Sequence, residues 1–232
     1  MGKRLIITID GPSGVGKSTI AKLVAKKMGF LYVDTGAIYR AITWKALQSN
    51  IDLRNEELLL KMIMGLKIEI KHIDNNKNNS YKIFLDKIDV TRKIRGPRID
   101  QYVSDLAKLP KIREQLISLQ RNLAKEGNIV MEGRDIGSKI LSNADIKLYF
   151  IASEGERVAR RYKELKNKGF KVSYEEVKKQ LVNRDSTDSG RKCSPLKKTK
   201  DAIVIDSTNK SINEVMDIIL NIVKNYRKNG KE

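Results

Sequence analysis

The chain has 232 residues, enough to bury one sizeable core, and carries 47 Lys and Arg against 28 Asp and Glu, a net charge of +19. A single histidine, His72, and a single cysteine, Cys193, exclude a histidine-based catalytic triad, a His-rich metal site, an intrachain disulfide and a cysteine zinc site. The charge calls for anionic partners. Lysines spread along most of the chain, without an aromatic-rich basic module or a helix-turn-helix signature, favour small phosphorylated molecules over a specific nucleic-acid target. No apolar run has transmembrane or signal-peptide length, and the lone cysteine suits a reducing compartment, so a soluble cytoplasmic protein without a membrane partner is expected.

Residues 5–9 (Leu-Ile-Ile-Thr-Ile) predict a buried strand, and Ile20, Leu23, Val24 and Met28 give the apolar spacing of a helix. Between them lie Gly11, Pro12, Ser13, Gly14, Val15, Gly16, Lys17, Ser18 and Thr19, the G-x-x-x-x-G-K-[ST] pattern. Glycines let the backbone curl its N–H groups around phosphate oxygens, the helix N-terminus adds partial positive charge, Lys17 reaches the β- and γ-phosphates, and Ser18 is the candidate Mg²⁺ ligand. The motif points to nucleotide binding and leaves the reaction open.

Gly29 is a natural helix stop, residues 30–33 predict a second strand running into Asp34-Thr35-Gly36, and a helix follows over 37–47. A further helix is expected over 56–64. The pattern then changes to alternation at 67–71 and 81–85, with 74–80 as the hairpin loop, His72 at a strand end and a third short strand at 88–90. This small antiparallel patch reads as an insert in an α/β order.

Helices are predicted over 99–109 and 110–125, with Pro110 in the first turn of the second. A strand at 128–131 empties into Glu132-Gly133-Arg134-Asp135, and 146–151 is another buried strand. Then come a charged helix over 154–168, placing Arg157, Arg160 and Arg161 on one face, a helix over 173–182, a last strand at 202–205 and a closing amphipathic helix over 211–226, with 227–232 frayed. Strands alternating with helices imply a parallel sheet with helices on both faces, and ligands then collect at the carboxyl ends of the strands, where every polar cluster named above lies.

These residues resemble the bacterial cytidylate kinase family of the nucleoside-monophosphate kinase group. The matching stretches are IDGPSGVGKST (9–19), VDTGAIYRA (33–41), EGRDIGS (132–138), ERVARRYKEL (156–165), NRDSTDSGR (183–191) and SPLKKTKDAIVIDST (194–208), and they span nearly the whole chain. The hairpin region 67–90 matches the insert of the bacterial members. Two departures stand out: Glu132 where the family commonly has Asp, and Lys198-Thr199-Lys200 in place of a more apolar segment.

The resemblance implies a P-loop NTPase core with a parallel sheet and helices on both faces, a small antiparallel β insert in the acceptor-binding region, and a mobile lid. Within one kinase domain the core is expected at 1–36, 100–153 and 194–232, the acceptor region at 37–99 and the lid at 154–193, with Gly169 and Gly190 as flexible points. It further implies transfer of the γ-phosphoryl group of MgATP to CMP, and to dCMP, by a monomer. Arg40 and Arg134 are to grip the acceptor phosphate, Arg184 and Arg191 to close over the reacting phosphates with Lys17, and Asp135, Arg113 and Ser104 to read cytosine. Asp188 is to hold the ribose hydroxyls, and Thr35 and Tyr39 to line the acceptor pocket. By spacing alone Tyr39 suits core packing equally, and Asp10 and Asp34 are candidates for the magnesium's outer coordination sphere. Other small-molecule P-loop kinases, of the uridylate/cytidylate or shikimate type, and a nucleic-acid-stimulated ATPase remain the competing readings.

Overall fold

A computed structural model describes residues 4–75, 78–125 and 127–229. In chain order the elements are β1 (Ile6–Asp10), α1 (Lys17–Met28), β2 (Leu31–Asp34), α2 (Thr35–Gln48), α3 (Glu56–Met64), β3 (Ile68–Asn75), β4 (Asn78–Leu85), β5 (Ile88–Asp89), α4 (Pro97–Leu106), α5 (Pro110–Ala124), β6 (Ile129–Gly133), a π-helical turn (Ile136–Ile140), β7 (Ile146–Ile151), α6 (Glu154–Asn167), α7 (Tyr174–Ser189), β8 (Ile203–Asp206) and α8 (Ile212–Asn229). They fall into two compact units, Met1–Phe30 with Gly127–Glu232 and Leu31–Glu126.

In the first unit strands run in the order β6, β1, β7, β8, all parallel. Strand β1 lies between two neighbours, with Ile7, Thr8 and Ile9 wholly buried, as a central parallel strand covered on both faces requires. Gly29, at φ 67°, ends α1 by returning its own N–H and that of Phe30 to the Lys26 and Ala25 carbonyls. Helices α6 and α7 build a small core of their own from Val158, Leu165, Val177 and Leu181, flanked by Tyr162, Phe170 and Val172. Helix α7 starts in a reciprocal cap between Ser173 and Glu176.

The second unit contains β2, an antiparallel sheet in the order β3, β4, β5, and helices α2, α3, α4 and α5. Asp34 caps α2 by accepting the Ala37 N–H at 2.9 Å. Helix α2 packs on α4, and α3 on α5. The Tyr32 and Tyr81 rings meet edge to face with centroids 5.0 Å apart.

Several boundaries differ from the sequence expectation. The polar run 74–80 is mostly strand: β3 continues to Asn75 and β4 resumes at Asn78, the two residues facing each other in register, while Asn76 and Lys77 of that expected loop lie outside the described residues. Asn and Asp are poor strand formers, but ladder pairing carries the hairpin past them. His72 lies inside β3 opposite Tyr81, not at a strand end. Helix α7 continues to Ser189 where the pattern suggested an end at 182, so Arg184 and Asp188 are helical; the ion pairs of Asp185 and Asp188 outweigh the weak helix propensity of Asp-Ser-Thr-Asp-Ser. Helix α8 runs to Asn229, since Arg227 and Lys228 in its last turn suit the negative end of the helix dipole; 230–232 of the expected frayed tail lie outside the described residues.

Candidate functional site

The glycine loop joins β1 to α1 and is shaped by backbone that only glycine adopts easily. Gly11, Gly14 and Gly16 sit at φ 149°, 80° and 89°. A Cβ on Gly11 falls on the Phe150 carbonyl, and one on Gly14 comes within 2.9 Å of the Arg157 carbonyl oxygen. Helix α1 starts at Gly16 with no side-chain cap and no acidic residue in its first turn. Its leading N–H groups and positive dipole end are therefore left to an anion.

Lys17 opens α1, is only 6 % exposed, and donates from Nζ to the Pro12 carbonyl at 2.6 Å. Burial, then the charges of Arg134 and Arg184, press its ammonium well below the usual lysine range, against the opposing pull of Glu132 and Asp10. Lys17 is thus held in a buried position among like charges, a strain that a phosphate beside its ammonium would relieve. Asp10, at the end of β1, turns both carboxylate oxygens to backbone N–H groups of the π-turn, Ile136 at 2.8 Å and Gly137 at 2.7 Å. Burial pushes its carboxyl up to about 6; those two N–H bonds act against the rise, Asp135 adds to it and Lys17 opposes it. Asp10 fastens the glycine loop to the end of β6, and its oxygens are thereby committed.

Arg134 follows β6 and donates from Nε to Asp188 at 2.7 Å; Asp188, almost fully buried on α7, also pairs with Arg191. The structure therefore gathers Lys17, Arg134, Arg184, Asp188 and Arg191 about the loop, within one unit. Asp135, buried directly after Arg134, lies close enough for its charge to be felt by Asp10. The arginines of α6 diverge instead of sharing a task. Arg157 donates to the Ser13 carbonyl at 3.2 Å and pairs with Asp185, and Arg160 grips Ser207 through its hydroxyl at 3.1 Å and its carbonyl at 2.7 Å. Arg161 turns to Glu164 on its own helix.

A second cluster forms in the other unit around Asp34. Arg95 donates to its Oδ2 at 2.9 Å, and Gly36 leaves the room that Arg40 fills, since a Cβ there comes within 2.8 Å of Arg40 Nη1. Burial would raise the Asp34 carboxyl; the guanidiniums of Arg40 and then Arg95, with the Ala37 N–H, outweigh it and hold the group well below the usual carboxylate range. Arg40 also faces Asp100 of α4 at 3.7 Å, and its Nη1 is buried without a hydrogen-bond partner. Ser104 lies one turn beyond Asp100 on α4. Arg113 is 1 % exposed, donates to the Ala107 carbonyl at 3.1 Å and sits over the Tyr39 ring, 5.6 Å from its centroid. Tyr39 is thus both core and a wall for Arg113, while Thr35 is buried in the first turn of α2.

Sequence reasoning missed Glu132 beside Lys17, Asp185 at Ser13, Arg95 at Asp34, and Ser207, whose hydroxyl donates to the Val15 carbonyl at 3.0 Å and so supports the loop from beyond β8. For Glu132 a signal existed, since it opens the polar cluster that follows a predicted strand; in the structure it lies within β6, opposite Ile9 of β1. Among the described residues no cluster of three or more His, Cys, Asp or Glu has metal-binding geometry, and no helix is long and apolar enough to cross a membrane.

A family model described as cytidylate kinase matches residues 7–225. The cytidylate kinase of Bacillus cereus (strain ATCC 10987 / NRS 248) is 44 % identical over 223 residues, covering 96 % of this chain and 97 % of that protein; the cytidylate kinase of Bacillus thuringiensis (strain Al Hakam) gives the same figures. Among solved structures, an uncharacterized protein from Eubacterium ventriosum shares the fold at a TM-score of 0.53 and 15 % identity, covering 96 % of this chain and 99 % of that one. With a family match over almost its full length and relatives of this identity, the chain belongs to the cytidylate kinase family and is a nucleoside-monophosphate kinase, a phosphotransferase.

Proposed function

We propose that the protein transfers the γ-phosphoryl group of ATP to CMP, and to dCMP, giving ADP and the pyrimidine diphosphate, as a cytoplasmic monomer. The observation that carries this reading is Lys17, nearly buried among the guanidiniums of Arg134 and Arg184 at the uncapped start of α1. An acceptor phosphate is mostly dianionic at neutral pH and is its own nucleophile, so the reaction needs cations and no general base. One of its oxygens attacks Pγ, the bond from Pγ to the β–γ bridging oxygen breaks, and ADP leaves. Lys17, Arg184 and Arg191 spread the charge of the transferring group, and the backbone of 11–19 cradles the donor phosphates.

Arg40 and Arg134 take the acceptor phosphate, the buried unpartnered Nη1 of Arg40 being a donor that an oxygen satisfies. Ser104, Arg113 and Asp135 read cytosine, an acceptor beside a cation matching its 4-amino group and N3/O2 edge; Thr35 and Tyr39 line that pocket and Asp188 takes the ribose hydroxyls. Residues 154–193 act as the lid, 37–99 as the acceptor region and the rest as core. The residues fit a magnesium ion that arrives with the nucleotide: Ser18 offers an exposed hydroxyl in the first turn of α1, and such an ion takes its other ligands from phosphates and water. When bound it neutralises phosphate charge. Asp10, whose oxygens are committed to backbone N–H groups, holds the loop that presents Ser18.

A coupled assay of ADP formation with ATP plus CMP, dCMP, UMP, AMP or shikimate tests the reading. CMP and dCMP should turn over well above the others. Equal use of UMP, preference for shikimate, or nucleic-acid-stimulated ATP hydrolysis without acceptor turnover would overturn it.

A further inference from the structure

Two carboxylates on one face of α7, Asp185 and Asp188, occupy the cations and donors that surround the glycine loop. Asp188 takes Arg134 and Arg191. Asp185 has a different partner set: its Oδ1 accepts the Ser13 N–H at 3.1 Å, and its Oδ2 pairs with Arg157, whose guanidinium also donates to the Ser13 carbonyl. One loop residue is thus held at both backbone groups by a lid ion pair. Lys17 meanwhile turns its ammonium back onto the Pro12 carbonyl. Two of the loop's donors, the Ser13 N–H and the Lys17 ammonium, are thus taken from within, and the anion at Ser13 is the chain's own.

From this geometry we infer that Asp185 is an internal ligand of the glycine loop, standing where the donor's terminal phosphate comes, and that this phosphate must displace it. The inference rests on the loop being the donor-phosphate site. Two anions cannot share one N–H and one set of cations without strong repulsion. Asp185 is rigidly linked through α7 to Arg184 and Asp188, one residue before it and three after. Its displacement therefore shifts Arg184 and loosens the hold of Asp188 on Arg134 and Arg191 at the moment those guanidiniums acquire phosphate oxygens to bind. Loop occupancy by a triphosphate, and not by a diphosphate, becomes the signal that frees the catalytic arginines. Asp185 is a positioning residue in this scheme and touches no reacting atom during transfer.

The test compares full-length wild type with Asp185→Asn and Asp185→Ala, titrated by calorimetry with β,γ-imido-ATP and separately with ADP, with melting curves of each protein alone and saturated. Losing a competing charge-assisted hydrogen bond should tighten the triphosphate analogue about tenfold, which is about 1.4 kcal/mol, and change ADP affinity little. The variants alone should melt below wild type, and the shift produced by the analogue should be larger. Unchanged or weaker analogue binding in both variants overturns the inference, as does equal tightening of ADP, or a melting loss that is the same with and without analogue. Lys17→Ala is measured alongside. If it binds the analogue like wild type, the donor-site reading of the loop itself fails; if it loses binding while both Asp185 variants match wild type, only the internal-ligand inference fails.

Discussion

Replacing Asp34 with asparagine isolates the electrostatic part of the cluster around it, because the amide oxygen can still cap α2 while the charge is lost. The wild-type carboxylate has a side chain 9 % exposed, accepts the Ala37 N–H and the Arg95 guanidinium at 2.9 Å each, and lies in the field of Arg40. Breaking one side of a fully buried pair costs about 3–5 kcal/mol. Arg95 is 35 % exposed, so water screens part of that interaction, and the retained cap keeps another part. The expected loss for Asp34→Asn is about 2 kcal/mol at pH 7. Its pH dependence has a definite sign. The folded-state carboxyl is held below the usual 3.8, so its contribution is fully present above that value and declines as the pH falls through it toward the folded-state value. Urea unfolding followed by circular dichroism should show the same gap between wild type and variant at pH 7 and 5, narrowed by about 1 kcal/mol at pH 3. A gap below about 0.5 kcal/mol at pH 7, the size of an ordinary surface change, would refute the reasoning, as would a gap undiminished at pH 3.

Three further outcomes are expected. Lys17→Ala should keep its melting temperature and lose phosphoryl transfer by a factor of about 10² to 10³, as removal of a charge-stabilising donor does; near-normal turnover in the coupled assay removes Lys17 from the chemistry. Gly14→Ala places a Cβ 2.9 Å from the Arg157 carbonyl oxygen at φ 80°, so it should cost about 1–2 kcal/mol of stability and weaken ATP-analogue binding in a titration, and an unperturbed variant would show that the loop does not need its observed shape. Asp10, raised from 3.8 to about 6, favours its protonated form in the folded chain; its charge therefore costs stability that accumulates as the pH rises from about 4 to 6, to about 3 kcal/mol, and is level above. Asp10→Asn should remove that slope from the stability profile, and a variant with the wild-type slope would place the titration elsewhere.

The parts of the site that were legible in the sequence are those whose chemistry is local. Gly11, Gly14 and Gly16 are readable because a loop that points its N–H groups inward needs φ values that other residues resist, and a strand and a helix had to flank it. Asp34-Thr35-Gly36 is readable for a similar reason: a capping carboxylate starts α2, and the glycine clears space for Arg40 one turn later. The alternation of strands with helices gave the parallel sheet; apart from the π-helical turn at Ile136–Ile140, which the pattern did not suggest, the differences lie at the ends of elements. Ends moved where partners distant in sequence supplied the free energy, as in the last turns of α7, where Asp188 meets Arg134 across 54 positions, and in the hairpin, where backbone pairing outweighed asparagine's preference for turns.

The illegible part has a common cause, and it bears on how the glycine loop is held. Ser207 reaches Val15 across 192 positions, and Asp185 reaches Ser13 across 172. Neither contact has a periodicity or spacing to betray it, because each is set by the return of a late element to the first loop. Both concern the same short backbone stretch, yet they act in opposite senses. Ser207 donates to the Val15 carbonyl and is itself gripped by Arg160, so it fixes the loop through an acceptor, which an anion does not need. Asp185 accepts the Ser13 N–H, a donor that an anion would need. A loop built only of the first kind of contact would bind phosphate tightly and indifferently; adding the second makes occupancy conditional on an anion strong enough to replace a carboxylate, and couples that replacement to the helix carrying Arg184. The guanidiniums of Arg134 and Arg191 are in this way held by Asp188 until an anion reaches the loop, so the contact at Ser13 and the pairs at Asp188 are two ends of one rigid helical lever.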